Sequence, residues 1–412
     1  MGRYLPVKFF AAIIFLLLYV AHINAAESTG LIAVRERITR SLRPELRQLY
    51  SEAIAAFQSK DFQTASQRYE ALRAQAIQID DKLGIGLGLG GLGAVNAALK
   101  NYSVAHEKFT AALPYLANTA NPEVGSWIYI SLGEVYLQID EPRKAVDAFS
   151  NALSVGDHVI ANATDEEKQF ILSVRGEVFR EKASAHERLK EFEATVKNLL
   201  LAADDFEKAN EKKLAAFALG TAGNLLLSTL KRPQEGIKAF SRSANLFEQV
   251  EDVEMVASTR LILGWAYLSA REYQEALAAF TSALKTAQEH SLSRVALEAQ
   301  YGNARVLENT GEFKEALVRY RRLLEQLRVS ETKPDTFSEA GLLMRMGDVY
   351  KLLSHYEPAA EHYLLASAKF RSHGDAAGEA EATAKVGDIF SWIGEFRIAS
   401  VYYEKALATY DA

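Results

Sequence analysis

One unit recurs along this chain, and it constrains the fold more than any other feature. "LGEVYLQIDEPRKAVDAFSNAL" (132–153) and "LGWAYLSAREYQEALAAFTSAL" (263–284) both run Leu-Gly-x-x-Tyr, break, and resume as Ala-x-x-x-Phe-x-x-Ala-Leu. "MGDVYKLLSHYEPAAEHYLLAS" (346–367) and "VGDIFSWIGEFRIASVYYEKAL" (386–407) follow the same plan, and "GEFKEALVRYRRLL" (311–324) carries its second half. The alanine that opens the second half falls at Ala65, Ala105 and Ala145, then at Ala276, Ala316, Ala359 and Ala399, in steps of 40, 40, then 40, 43 and 40. Thr195 and Gly236 hold the same slot in between. About nine units cover residues 45–410. A short unit that cannot bury its own apolar side must stack on its neighbours.

Each unit reads as two helices. Ala145, Phe149 and Ala152 are spaced i, i+4, i+7, one helical face, and Leu132, Gly133 and Tyr136 give a matching face on the helix before. Strand-type alternation is nowhere sustained. Pro142, Pro233 and Pro358 fall where second helices should begin, and a first-turn proline loses no intrahelical bond. Asp81, Asn121, Asp165, Asn210, Asp252, Asp335 and Asp375 precede first helices as caps. A Gly or Ala lets two backbones approach, and a neighbouring ring fills the space beside it. Between Asp165 and Asn210 the pattern weakens. The step from Ala145 to Thr195 is 50, which predicts a longer first helix reaching about Arg188.

These residues resemble the tetratricopeptide repeat family, over about nine-tenths of the chain that follows the N-terminal leader described below. The period near 40 exceeds the family's usual 34 and looks like a longer-helix variant. The resemblance implies an all-α fold: a right-handed superhelical solenoid of stacked antiparallel helix pairs. Composition agrees with an ordinary folded chain. It is 49% hydrophobic and 24% charged, and 412 residues exceed what one compact core usually holds. The 53 acidic and 47 basic side chains are interspersed, so no basic face marks a nucleic-acid partner. The absence of cysteine excludes disulfides, thiolate zinc sites and cysteine nucleophiles.

"GIGLGLGGLG" (84–93) fits a dinucleotide-binding G-x-G-x-x-G twice. That motif needs a strand before it and a helix after it. Here "YEALRAQAIQIDDK" before it is helical in character. Counting back from Ala105, Gly93 falls on the slot of Gly133 and Gly264. The stretch therefore reads as the first helix of the second unit, with Gly86, Gly90, Gly93 and Ala97 as one small-residue side. It is predicted to be weak by itself and held by its neighbours.

Residues 1–25 read as an export signal. Arg3 and Lys8 precede the apolar run "FFAAIIFLLLYVA", which is too short to span a bilayer, and "INAAE" offers a cleavage site after Ala25. The expected location is periplasmic or secreted. Residues 26–44 form an amphipathic N-terminal segment. Leu31, Val34, Ile38 and Leu42 make its stripe, and Arg35, Arg37, Arg40, Arg43 and Arg47 its basic side. Two readings stand: a helix that caps the first repeat, or peripheral contact with an anionic membrane through Arg35, Arg37, Arg40 and Arg43. Asn101-Tyr-Ser and Asn162-Ala-Thr are glycosylation sequons that matter only in a eukaryotic host.

No catalytic motif emerges, and neither a cofactor nor a metal is expected. His355, His362 and His373 are too far apart along a helix to share an ion. In the family this chain resembles, first helices line a concave groove that takes a peptide or a folded partner. The corresponding residues are Trp127, Ile130, Glu134 and Leu137 in unit three, then Leu225, Leu261, Trp265 and Leu268 in units five and six. Units seven to nine offer Arg305, Arg345, Asp348, Lys351, Lys385, Asp388 and Trp392. An apolar middle and a mixed-charge end predict an anchor pocket around Trp265 with polar selection beyond it. The alternative is that longer helices pack these side chains internally. A carboxylate clamp known in the family is not supported, because its slots hold Glu134, Leu225, Trp265 and Arg305. The last helix places Tyr403, Leu407 and Tyr410 on one side with Ala406, which suggests self-association. Exported arrays of this spacing also look like the front of proteins bearing a CHAT-type peptidase domain. The sequence thus predicts a non-enzymatic exported scaffold for a protein or peptide, with a self-associating envelope subunit or the recognition segment of a larger enzyme as alternatives.

Overall fold

A computed structural model describes residues 29–117, 121–161, 163–330, 334 and 336–410. The export signal at 1–25, the sequon asparagine Asn162 and the cap expected at Asp335 lie outside the described residues. Among the described residues every regular element is a helix, nineteen in all. They form two compact units that divide after Leu230.

The first unit holds α1 (Thr29–Ser41), α2 (Pro44–Gln58), α3 (Phe62–Gln78), α4 (Lys82–Ala98), α5 (Tyr102–Leu116), α6 (Pro122–Gln138), α7 (Pro142–Ala161), α8 (Asp165–Arg188), α9 (Phe192–Lys208) and α10 (Lys212–Ser228). The second holds α11 (Pro233–Gln249), α12 (Val253–Ser269), α13 (Tyr273–Glu289), α14 (Ser293–Thr310), α15 (Phe313–Val329), α16 (Glu339–Leu352), α17 (Tyr356–Ser372), α18 (Ala376–Trp392) and α19 (Phe396–Tyr410). Within each unit a helix packs chiefly on those before and after it, as a solenoid of helix pairs requires.

The 40-residue period has a simple origin. The commonest helix has 17 residues, and the commonest turn has three, such as Ser59 to Asp61. Helix plus turn, taken twice, gives one repeat. Most of the described turns pass through the left-handed region: Lys60, Asp80, Lys100, Asp140 and Lys190 all have φ between 51° and 63°, and Gly311 has 86°. The turn closes through backbone bonds such as Asp61 N–H to the Ala56 carbonyl at 2.9 Å.

Caps follow the expectation in part. The carboxylates of Asp81, Asp252 and Asp375 accept from the amides of Gly84, Met255 and Gly378. Three expected caps differ. Asn121 makes no cap bond to its own helix, because its side-chain oxygen accepts from the Ser41 hydroxyl at 3.3 Å. Asp165 lies inside α8, which Thr164 caps in a reciprocal pair with Glu167. Glu211, not Asn210, stands at the cap of α10. Pro142 and Pro233 open their helices, and Pro358 sits in the first turn of α17. The lengthened helix α8 ends at Arg188 as expected.

The interlock of small residues with rings is the core itself. A Cβ added to Gly133 would come within 2.4 Å of the Phe149 ring, and one added to Gly347 within 2.6 Å of Tyr363. Phe280 is held from both sides, by Gly264 and Gly302. The alanines from Ala65 to Ala399 are buried, as are Thr195 and Gly236 in the same slot. Ala145, Phe149 and Phe280 are fully buried; Tyr267 is half-buried.

The glycine stretch is one helix, α4, with no strand before it. Its small residues use two sides, not one. Gly84, Gly88 and Gly91 meet Ala76, Arg73 and Tyr69 of α3, whereas Gly86 and Gly93 meet Leu116 and Phe109 of α5. A helix pressed between two neighbours needs close approach on both flanks, and glycine alone permits it.

Candidate partner-binding site

In the first unit the expected groove already holds a helix. The stripe of α1 (Leu31, Val34, Ile38 and Leu42) is buried, and α1 packs along α8. Its Arg37 reaches two carboxylates in the first turns of α6 and α8. Nη1 lies 2.8 Å from Glu167 Oε1 and Nη2 lies 3.2 Å from Glu123 Oε1. Both acids are buried, and burial holds the Glu123 carboxyl above the usual carboxylate range, partly offset by Arg37. Farther along, the Arg43 amide donates to Asp81, and the Arg47 guanidinium donates to the carbonyls of Arg40 and Leu42, closing the end of α1.

This arrangement extends the capping reading of the N-terminal segment. The helix lies across three successive repeats rather than over the first alone. The apolar stripe that a bilayer would take is covered by α6 and α8, and Arg37 is committed to Glu123 and Glu167. Beneath Val34 remains a cavity of about 40 Å³, lined by Trp127, Ile130, Phe170, Val174 and their neighbours. Trp127, Ile130 and Leu137 are therefore core residues, not a free groove; Glu134 is half-buried. Leu225 and Leu261 are buried as well. All five apolar positions are thus packed inside the protein, Trp127 and Ile130 beneath α1.

The first helices of the second unit carry what remains. Trp265 on α12 is half-buried, edge-on to Phe280 at 5.0 Å between centroids and tilted against Tyr301 at 5.7 Å. Tyr301 stacks in turn on Phe337 at 4.5 Å. The indole N–H of Trp265 finds no acceptor among the described residues. Leu268, one turn on, is half-buried beside it.

Next to this aromatic floor runs a ladder with the period of the repeat. Arg305, Arg345 and Lys385 occupy the slot of Trp265, and Glu308, Asp348 and Asp388 that of Leu268. Arg305 pairs with Glu308 at 3.4 Å, Arg345 lies 3.7 Å from Glu308 and 3.9 Å from Asp348, and Lys385 lies 2.9 Å from Asp348. Each acid also accepts from a second-helix phenol: Glu308 from Tyr320, Asp348 from Tyr363 at 2.8 Å, Asp388 from Tyr403 at 2.8 Å. Burial and the facing carboxylate push the Tyr320 and Tyr363 phenols far above their usual range, so both remain donors. The charged residues expected to select a partner are thus largely occupied with one another. They fix the spacing of successive first helices.

Lys351 and Trp392 stand apart from the ladder. The Lys351 ammonium lies 5.1 Å from the ring centre of Trp392, which is 60% exposed. The three histidines are separate. His355 and His373 stand at the two ends of α17, and the His362 ring bonds the Pro358 carbonyl beside the Tyr350 ring. Among the described residues no group of three acids or histidines is placed to hold a metal, and no helix is long and apolar enough to cross a membrane.

The sequence reading missed Glu123, Glu167 and Glu308. Glu308 was findable, because it stands 40 residues before Asp348 in the same slot. Glu123 and Glu167 carry no such signal, since first-turn acids are common on any helix.

Residues 214–289 match the family model of the tetratricopeptide repeat. No curated protein matches the sequence. Among solved structures, the apo form of RapI is 13% identical, covering 89% of this chain and 97% of that one, with a TM-score of 0.45. The apo form of the quorum sensor NprR from B. thuringiensis is 14% identical, covering 89% and 98%, with a TM-score of 0.39. A tetratricopeptide repeat protein from Parabacteroides merdae is 17% identical, covering 69% and 92%, with a TM-score of 0.35.

Proposed function

We propose, for a chain that is an array of tetratricopeptide-type repeats, that it serves as an exported, non-enzymatic scaffold and binds a protein or peptide on the first-helix face of its second unit. The leader-like residues 1–25 support the export. The observation that carries the binding is Trp265: a half-buried indole on a rigid aromatic floor, beside a charge ladder that holds the helices in register. A side chain of a bound segment would cover the exposed part of the indole and Leu268. The scaffold works by shape and anchoring contacts, without bond chemistry.

The test compares proteins recovered from envelope or culture-fluid fractions by the wild type and by a Trp265→Ala, Leu268→Ala double variant. Loss of one or more partners at unchanged helicity supports the reading. Identical partner sets refute it.

The face of α19 favours a second reading, self-association. Leu407 and Tyr410 are 63% and 72% exposed, and Tyr403, the counterpart of the fully buried Tyr363, is 39% exposed. A sedimentation coefficient that rises with concentration, and stops rising in Leu407→Glu, supports it. A strict monomer at all concentrations removes it.

A further inference from the structure

The helix lying in the first unit shows by its own chemistry what that unit accepts. Three features define the seat. Its floor is apolar and drawn from successive helices: Trp127 and Ile130 of α6, Phe170 and Val174 of α8. Its rim carries two buried carboxylates, Glu123 and Glu167, in the first turns of α6 and α8. One guanidinium spans both. A pocket of about 40 Å³ also remains beside the occupant, lined by Val34 together with that floor. An aliphatic side chain longer than Val34 can gain contact in that space.

We propose that the α6–α8 face under α1 is a receptor site for a basic amphipathic helix of a partner protein, and that α1 is its resident, displaceable occupant. The partner helix carries an aliphatic stripe at i, i+3, i+7 and i+11, as Leu31, Val34, Ile38 and Leu42 do. It carries one arginine just before the third stripe residue, as Arg37 precedes Ile38. A residue larger than Val at the second stripe position fills the void and lets the partner outcompete α1. The site is independent of the Trp265 face, and neither requires the other.

The absence of cysteine makes the test clean. A single cysteine at the exposed Glu36 carries a fluorophore that reports where α1 lies. The probe is a synthetic peptide with the sequence of residues 29–42, in the native form, with Arg37→Ala, and with Val34→Leu. Added to the labelled full chain, the native peptide releases α1, seen as a fall in fluorescence anisotropy. The Val34→Leu peptide does so at about fivefold lower concentration, which corresponds to filling the void. The Arg37→Ala peptide needs at least tenfold more, because it leaves two buried acids unpaired. A second measurement uses the Ile38→Asp chain, whose own α1 is expelled. It binds labelled native peptide at least tenfold more tightly than wild type does, because the tethered competitor is gone.

If Ile38→Asp does not fold, the anisotropy experiment on the otherwise native chain still decides. No release at millimolar peptide overturns the proposal, as does equal potency of the native and Arg37→Ala peptides. Release by vesicles of anionic lipid but not by peptide also overturns it, in favour of membrane contact.

Discussion

Adding one methyl group at Gly133 tests the packing rule on which each repeat depends. In Gly133→Ala the new Cβ meets three Phe149 ring atoms at 2.4, 2.6 and 2.7 Å, inside normal contact distance. Phe149 is fully buried and has no free space to retreat into. Overpacking of that kind costs about 1–3 kcal/mol. Alanine in place of a helical glycine returns up to about 1 kcal/mol. The net expectation is a loss of about 0–3 kcal/mol. Gly125 provides the control on the same helix, since a Cβ there meets nothing within 4 Å. Gly125→Ala is therefore expected to gain up to about 1 kcal/mol. Guanidinium unfolding followed by far-ultraviolet circular dichroism reads both variants, and equal m-values confirm that the same transition is compared. Adding Phe149→Leu to Gly133→Ala restores part of the loss, because the two sites share one space. The reasoning fails if Gly133→Ala is as stable as Gly125→Ala.

Four further expectations follow from the same structure. Replacing Lys60, Lys100 or Lys190 by glycine relieves a left-handed backbone and raises stability by up to about 1 kcal/mol each; thermal unfolding that falls instead contradicts it. Arg37→Met strands Glu123 and Glu167. It should cost about 1–3 kcal/mol, less than a fully buried pair because the Arg37 side chain is 38% exposed, and a neutral result in denaturant unfolding refutes it. Tyr363→Phe removes a donor from Asp348 while Lys385 stays, for a loss of about 1–2 kcal/mol that is non-additive with Lys385→Met in a double-mutant cycle. Glu177 is buried, and burial raises its carboxyl despite Arg180. The folded chain thus holds that proton more tightly than the unfolded chain. Its stability rises as pH falls from the raised value toward the ordinary carboxylate range, and Glu177→Gln flattens that rise.

The repeat made the fold legible before any coordinates. Ala65, Ala105, Ala145 and their successors mark close helix contacts that favour small side chains, so their spacing gives helix pairing directly. The helix α8 was legible for the same reason, since its extra turns keep the apolar face in phase. The site was legible only in part. Slot counting found Arg305, Arg345, Asp348, Lys385 and Asp388, yet it could not show that they pair across repeats, because side-chain reach is not encoded in period. Trp127, Ile130 and Leu137 share the groove slot and are buried all the same. The cover over the face that includes Trp127 and Ile130 is α1, a segment outside the repeat whose seat lies more than a hundred residues away at Glu167.

The central claim is that glycines on first helices lie against aromatic rings of the second helices. Proton spectra of a chain labelled only at glycine measure it directly. A ring face shifts the resonance of any hydrogen held against it upfield. The Hα resonances of Gly93, Gly133, Gly264, Gly302 and Gly347 should lie well upfield, while those of Gly311, Gly374 and Gly394, with nothing within 4 Å, stay at ordinary positions. In Phe149→Leu only the Gly133 resonance should return. Glycine resonances confined to one narrow band would contradict the interlock and the fold built on it.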